Sequence, residues 1–241
     1  HSPSAGEESV SKRCELVWLP LLRRLSEECA GWLVWKNVDA ALAGKGDIDS
    51  AAVPEELGRI EAIFRQWARD VGAAGWLRCS HLKGADLFFA VLSEAAEGLL
   101  KLLELHVMTV QPFRGWPVLE ASTLLPVALD DPRGFRRLRP GAEAALLLLF
   151  NGLRPWGRMD GAAVREKALR ERIASDLDGV KELCYRLPGP SGRLLLRLAE
   201  ALVAGRWARA AALHLEAASL ARALASPRFA LARARVRLRG G

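Results

Sequence analysis

A chain of 241 residues, 51% hydrophobic and 26% charged, is long enough to bury a core and too apolar to be disordered. No apolar run reaches the ~18 residues needed to cross a bilayer, so a membrane partner is not expected. The net charge of +7 is uneven: from Val164 onward 16 Lys and Arg face 7 Asp and Glu (net +9), whereas residues 1–163 carry 19 against 21 (net −2). The basic C-terminal third suits an anionic partner such as nucleic acid, nucleotide or an acidic protein, and the plainer reading is a solvated arginine-rich helical face.

The opening HSPSAGEES lacks Met and is left out of the fold reasoning. In SKRCELVWLPLLRRLSEECAG, Leu16, Leu19, Leu22 and Leu25 recur at helical spacing, and Pro20 predicts one or two short helices broken there. WLVWKN predicts a strand. In GKGDIDSAAV, Gly44 and Gly46 predict a turn, after which Asp47, Asp49 and Ala51 alternate with Ile48, Ser50 and Ala52, as on a strand with one polar edge. PEELGRIEAIFRQWARDVGA predicts an amphipathic helix, with Pro54 near its first turn and Leu57, Ile60, Ile63, Phe64 and Trp67 on one face.

GWLRCSHL and ADLFFAVLS predict two strands joined by a hairpin at Lys83-Gly84. In GLLKLLELHVMTV, Leu103, Leu105 and Val107 alternate with Glu104, His106 and Met108, a half-polar strand. Residues 111–141, punctuated by five prolines, read as loop. Helical periodicity follows over 142–153, 161–186, 191–204 and 206–225. Arg228, Arg233, Arg235, Arg237 and Arg239 then form a basic strip, read either as a nucleic-acid footprint or as a disordered tail. The expected fold class is α+β: a small mixed β-sheet domain over 10–140 and a helical domain over 141–241 with a basic C-terminal tail. Cys14, Cys29, Cys79 and Cys184 show no C-x-x-C pairing, which disfavours zinc and redox motifs and predicts reduced thiols in a cytoplasmic protein.

Asp47 and Asp49 share a strand face with Cα atoms about 7 Å apart, near enough to share a divalent cation. If buried, such a pair needs a compensating cation; as a solvated edge it needs nothing. In RGFRRLRPG, Arg133, Arg136, Arg137 and Arg139 surround Phe135 and read as a triphosphate or RNA clamp, or as a solvated loop. His81 reads as a hairpin-end histidine, and Trp32, Trp35, Trp76 and Trp116 as core or as stacking surfaces near the acidic pair.

From about residue 31 to 110 these features resemble the nucleotidyltransferase superfamily of the DNA polymerase beta type, and within it a group of bacterial nucleotidyltransferase-like proteins. The features are an apolar strand ending in Lys36-Asn37, a spacer, the D-h-D of GDIDS, and a third acid on a neighbouring strand, for which Glu104 in LLELHV is the candidate. The resemblance implies Mg²⁺ or Mn²⁺ held by Asp47, Asp49 and Glu104, and transfer of an NMP from an NTP such as ATP to a hydroxyl. It also implies phosphate contacts from Lys36, Asn37, Lys45 and Gly46. Relatives of this kind include toxins that modify tRNA, which implies a tRNA or other nucleic-acid acceptor and an antitoxin partner. Two departures stand out. Lys36-Asn37 occupies the usual Gly-Gly or Gly-Ser position, and His106 shares Glu104's face. They support the alternative of a catalytically degenerate nucleotide- or protein-binding module; a helical nucleic-acid binder is a third reading.

Overall fold

The computed structural model describes the backbone of residues 5–82, 84–94, 99–160 and 163–239; side chains at 5–13, 81–82, 93–94, 99–100, 163–166, 233 and 236–239 lie outside that description. The chain runs α1 (Ala5–Glu28), β1 (Trp32–Lys36), α2 (Val38–Leu42), β2 (Ile48–Ala52), α3 (Leu57–Asp70), β3 (Gly75–Leu82), β4 (Ala85–Glu94) and β5 (Leu99–Met108). Next come β6 (Val110–Phe113), β7 (Trp116–Glu120), α4 (Ala121–Leu124), β8 (Ala128–Asp131), β9 (Phe135–Leu138) and α5 (Pro140–Leu147). After the short β10 (Leu153–Arg154) and β11 (Arg158–Met159) the chain is helical through α6 (Ala163–Ser175), α7 (Leu177–Arg186), α8 (Ser191–Val203), α9 (Arg209–Ala225) and α10 (Arg228–Arg239). This is an α+β fold, a mixed seven-stranded sheet and a helical C-terminal region.

The chain gathers into two compact units, His1–Thr109 with Ala128–Arg137, and Val110–Val127 with Leu138–Gly241. In place of the single boundary expected near 140, the backbone leaves the first unit after β5, returns for β8 and β9, and leaves again.

In the first unit the strand order is β3-β4-β5-β2-β1-β9-β8. β1–β2, β3–β4 and β4–β5 pair antiparallel, whereas β2–β5 and β1–β9 are parallel. One face of the sheet packs on α1 and α3: Trp18, Leu21, Leu22 and Leu25 join Ile60, Ile63, Phe64 and Trp67 over Val34, Ile48, Phe88, Leu103, Leu105 and Val107. Trp18 and Trp67 stack at 5.3 Å, and the Trp67 indole donates to the Val17 carbonyl at 2.9 Å. Each such large side chain contributes about 2 kcal/mol by leaving water.

Contrary to the expected break, α1 is continuous through Pro20. Proline removes the bond to the Leu16 carbonyl, but Leu16 is 72% exposed and water can serve that carbonyl. The stretch read as loop holds two hairpins. β6 and β7 meet at Phe113 opposite Trp116, closed by Arg114-Gly115 with φ of 49° and 85°, a two-residue turn whose twist matches the strands. The presumed basic tail is helical as α10.

The arginine cluster is structural rather than a free clamp. Arg133 meets Asp131 and Asp39, each at 2.7 Å, and Arg137 meets the same two carboxylates at 3.2 Å, tying α2 to β8 and β9. Arg136 donates to the Ala30 and Trp32 carbonyls at 2.6 and 3.1 Å, serving acceptors left where α1 runs into β1. Arg139, in the second unit, holds Asp176 at 2.5 Å. Asp176 also caps α7, accepting from Gly179 N–H at 3.1 Å and from Gly141 N–H at 3.0 Å. A side-chain carbon at Gly141 would fall 1.8 Å from the Asp176 carbonyl oxygen, so only glycine permits that approach.

Hydrogen bonds from Arg133, with further help from Arg137, outweigh burial and hold the Asp131 carboxyl well below its usual range. At Asp39 burial works in the opposite sense, and the two arginines overcome it. Depressed carboxylates stabilise the fold fully above their unfolded pKa, near 4, and that contribution is lost as pH falls toward the folded value. Asp131→Asn is expected to lower stability at pH 7 by roughly 2 kcal/mol, because it leaves two partly buried guanidinium groups with Asp39 as their shared carboxylate. Urea unfolding at pH 7 and pH 3 should show the variant's deficit shrinking in acid.

Candidate functional site

The site is assembled by the strand pairing of the first unit. β1 delivers Lys36, and the α2–β2 turn, with Gly44 and Gly46 at φ of 82° and 94°, delivers Asp47. β2 then carries Asp49, and β5 carries Glu104 and His106. Because β2 and β5 are parallel, with Ile48 opposite Leu105 and Asp49 opposite His106, continuing the register sets Asp47 beside Glu104. The β1–β2 register slips between Val34 and Lys36, so that Lys36 rather than Trp35 pairs with Asp49. Lys36, Asp49 and His106 thus form a row across three adjacent strands.

Asp49 does not lie on a solvated edge: every residue of β2 is buried, and Asp49 is 3% exposed. Lys36 Nζ lies 3.2 Å from its Oδ2. His106 Nδ1 lies 3.1 Å from its Oδ1, a contact that bonds only when the ring carries its proton on Nδ1. His106 Nε2 is buried and has no hydrogen-bond partner among the described residues. On the opposite face of β2, Ser50 donates to the His106 carbonyl at 2.9 Å, fixing the register that sets the imidazole beside Asp49. Lys36 also lies 4.9 Å from the centre of the Trp35 ring.

The predicted carboxylates fall into two groups. Asp47 and Glu104 both line a cavity of about 420 Å³, together with Cys14, Trp18, Gly46 and Lys101. Asp49 belongs to the Lys36–His106 row and does not line that cavity. Sequence spacing makes Glu104 the acid nearest the pair, but the residue that meets Asp49 is His106. Lys101 was missed. It sits on β5 three residues before Glu104, with Nζ 2.6 Å from Cys14 Sγ, and alternation groups it with Leu103 and Leu105 on the other face of the strand, so no sequence signal points to it.

Among the described residues, no three His, Cys, Asp or Glu side chains are close enough to hold a metal ion as they stand. The donor chemistry nonetheless suits a hard divalent cation. Asp47, Asp49 and Glu104 offer oxygen only, from the α2–β2 turn and the adjoining strands β2 and β5, and the buried Asp49 already has a positive charge beside it.

Asn37 has φ 59° and ψ 13°, the left-handed conformation glycine ordinarily supplies, and leads directly into α2. Asparagine at this position therefore makes the backbone turn that a glycine would. Lys45 is exposed in the next turn, and a side-chain carbon at Gly46 would meet no atom within 4 Å, so this turn is open to a ligand. Of the tryptophans, Trp32 and Trp35 are core, and Trp116 belongs to the second unit beneath Arg222, 4.5 Å away. The His81 side chain lies outside the described residues. Burial, reinforced by Glu56, pushes the Cys29 thiol up to about 12, and burial does the same at Cys184, so both thiols are inert.

No family model matches the chain, and no curated protein matches it. Among solved structures, the chain is similar to JHP933 from Helicobacter pylori at 13% identity, over 94% of this chain and 98% of that one, with a TM-score of 0.46. A likeness of that size carries no functional argument. No helix among the described residues is long and apolar enough to cross a membrane.

Asn37→Gly is expected to fold with stability within about 0.5 kcal/mol of the parent, whereas Asn37→Val should cost roughly 1–2 kcal/mol, because a β-branched residue resists positive φ. Urea unfolding of the two variants side by side checks this.

Proposed function

We propose that the protein is a metal-dependent nucleotidyltransferase that moves a nucleoside monophosphate from an NTP to a hydroxyl acceptor. The observation that carries this reading is the parallel pairing of β2 with β5, which sets the acidic positions 47 and 49 alongside 104 and 106. The strand order supports it too, since a D-x-D strand flanked by its apolar predecessor and by an acid-bearing strand is what the sequence resemblance implies.

On this reading Asp47, Asp49 and Glu104 hold Mg²⁺ or Mn²⁺, which supplies charge neutralisation for the triphosphate and lowers the pKa of the attacking hydroxyl. The chain's own residues do the rest. Gly46 leaves the turn bare for phosphate oxygens, and Asn37 makes the left-handed turn between β1 and α2. Lys36, Lys45 and Lys101 are the nearby point charges for phosphate. The net +9 of residues 164–241 supports a nucleic-acid acceptor such as tRNA, the setting in which a toxin-like role and an antitoxin partner belong.

One observation favours a second reading, a nucleotide- or protein-binding module without turnover: both carboxylate oxygens of Asp49 are engaged by Lys36 and His106. Incubation with each α-labelled NTP, Mg²⁺ and total tRNA separates the two. The transferase reading expects label on an acceptor, reduced at least 100-fold in Asp49→Ala. Nucleotide binding that needs no metal and yields no label would replace it with the binding module.

A further inference from the structure

We propose that Lys36 is the site's built-in counter-cation, neutralising Asp49 until a divalent cation displaces it and frees the ammonium for a substrate phosphate. This rests on the nucleotidyltransferase reading above. A carboxylate only 3% exposed has lost most of its hydration and needs positive charge close by. Lys36 supplies it at 3.2 Å on Oδ2, while His106 holds Oδ1 at 3.1 Å. Each oxygen keeps a second lone pair, but a metal ion bound there would stand within a few ångströms of the Lys36 ammonium, two cations on one carboxylate.

The two partners differ in freedom. His106 lies in mid-sheet, paired to Asp49 on β2 and to Leu87 on β4, and its carbonyl is tied by Ser50. Lys36 is the last residue of β1, just past the register slip, with its side chain 19% exposed. Its four-carbon stem is flexible, and the Trp35 ring gives the ammonium a second perch. An ammonium and a divalent cation repel strongly at such range, so the ion that takes Oδ2 expels Lys36. The released group is a point charge of the kind that binds phosphate, and it stands one residue before the left-handed turn at Asn37.

The consequence is an exchange in which free metal binds weakly because it must evict a lysine, and metal brought with a triphosphate binds well because the evicted lysine finds a new partner. The test is direct titration with Mn²⁺ alone, followed by electron paramagnetic resonance, for the parent protein, Lys36→Met and Asp49→Asn. Lys36→Met should bind Mn²⁺ at least ten-fold more tightly than the parent, and its melting temperature should rise with Mn²⁺ more than the parent's. The same variant should bind Mn²⁺-ATP at least ten-fold more weakly than the metal-alone gain predicts. Lys36→Gln, which keeps a donor on Oδ2 without the charge, serves if Lys36→Met fails to fold, and the same tightening is expected. Equal Mn²⁺ affinity with and without Lys36, lost in Asp49→Asn, would overturn the exchange and leave the transferase reading standing. Absence of any Asp49-dependent Mn²⁺ binding in all variants would overturn both.

Discussion

A buried carboxylate sets the terms for the rest of this molecule. Asp49 sits in the middle of a sheet whose β2 strand is buried throughout, and its charge is tolerable only because positive and hydrogen-bonding groups converge on it from both neighbouring strands. That convergence requires β1 antiparallel to β2, a register slip beside Trp35, and β5 parallel to β2. Each is a feature of the sheet as a whole, so the site and the fold specify one another. The ion pairs between α2 and the β8–β9 hairpin act at the same end of β1, anchoring the segment that begins with Asn37.

Much of this was legible in the sequence where periodicity is strong. The apolar face of α3, the turn glycines before β2 and the alternation along β5 each follow from one residue pattern. What was not legible depended on partners distant in sequence. Asp49 alternates with Ile48 and Ser50 exactly as a solvated edge residue would, and nothing local reveals that both faces of β2 are covered. The arginines of RGFRRLRPG looked free because their carboxylates lie elsewhere: Asp39 is 94 residues before Arg133, and Asp176 is 37 after Arg139. Pro20 broke a helix on paper because its cost depends on whether water reaches the carbonyl it abandons. The β6–β7 hairpin was masked by its prolines, although Arg114-Gly115 between Phe113 and Trp116 is a two-residue turn that could have been recognised.

Asn37 and His106, the two residues that depart from the pattern the sequence resembles, have different physical meanings. Asn37 is the mild one, because asparagine reaches the left-handed region at small cost and the backbone turn survives. His106 is the informative one. A third carboxylate opposite Asp49 would leave like charges facing each other across the ladder, whereas an imidazole with its proton on Nδ1 makes the contact favourable and lets the strands pair closely without an ion. Glu104, two residues earlier on β5, lines the cavity it shares with Asp47.

The parallel pairing of β2 and β5 also bears on how the chain reaches this state. Asp49 and His106 are 57 residues apart, and α3 and the β3–β4 hairpin lie between their strands in the chain. The antiparallel β1–β2 ladder, which pairs Lys36 with Asp49, is the more local pairing. Closing the longer loop carries the larger entropic cost and belongs late in folding. Of the two groups that meet Asp49, Lys36 is therefore the near one in sequence and His106 the far one, and the sheet joins a local contact to a distant one on the same carboxylate.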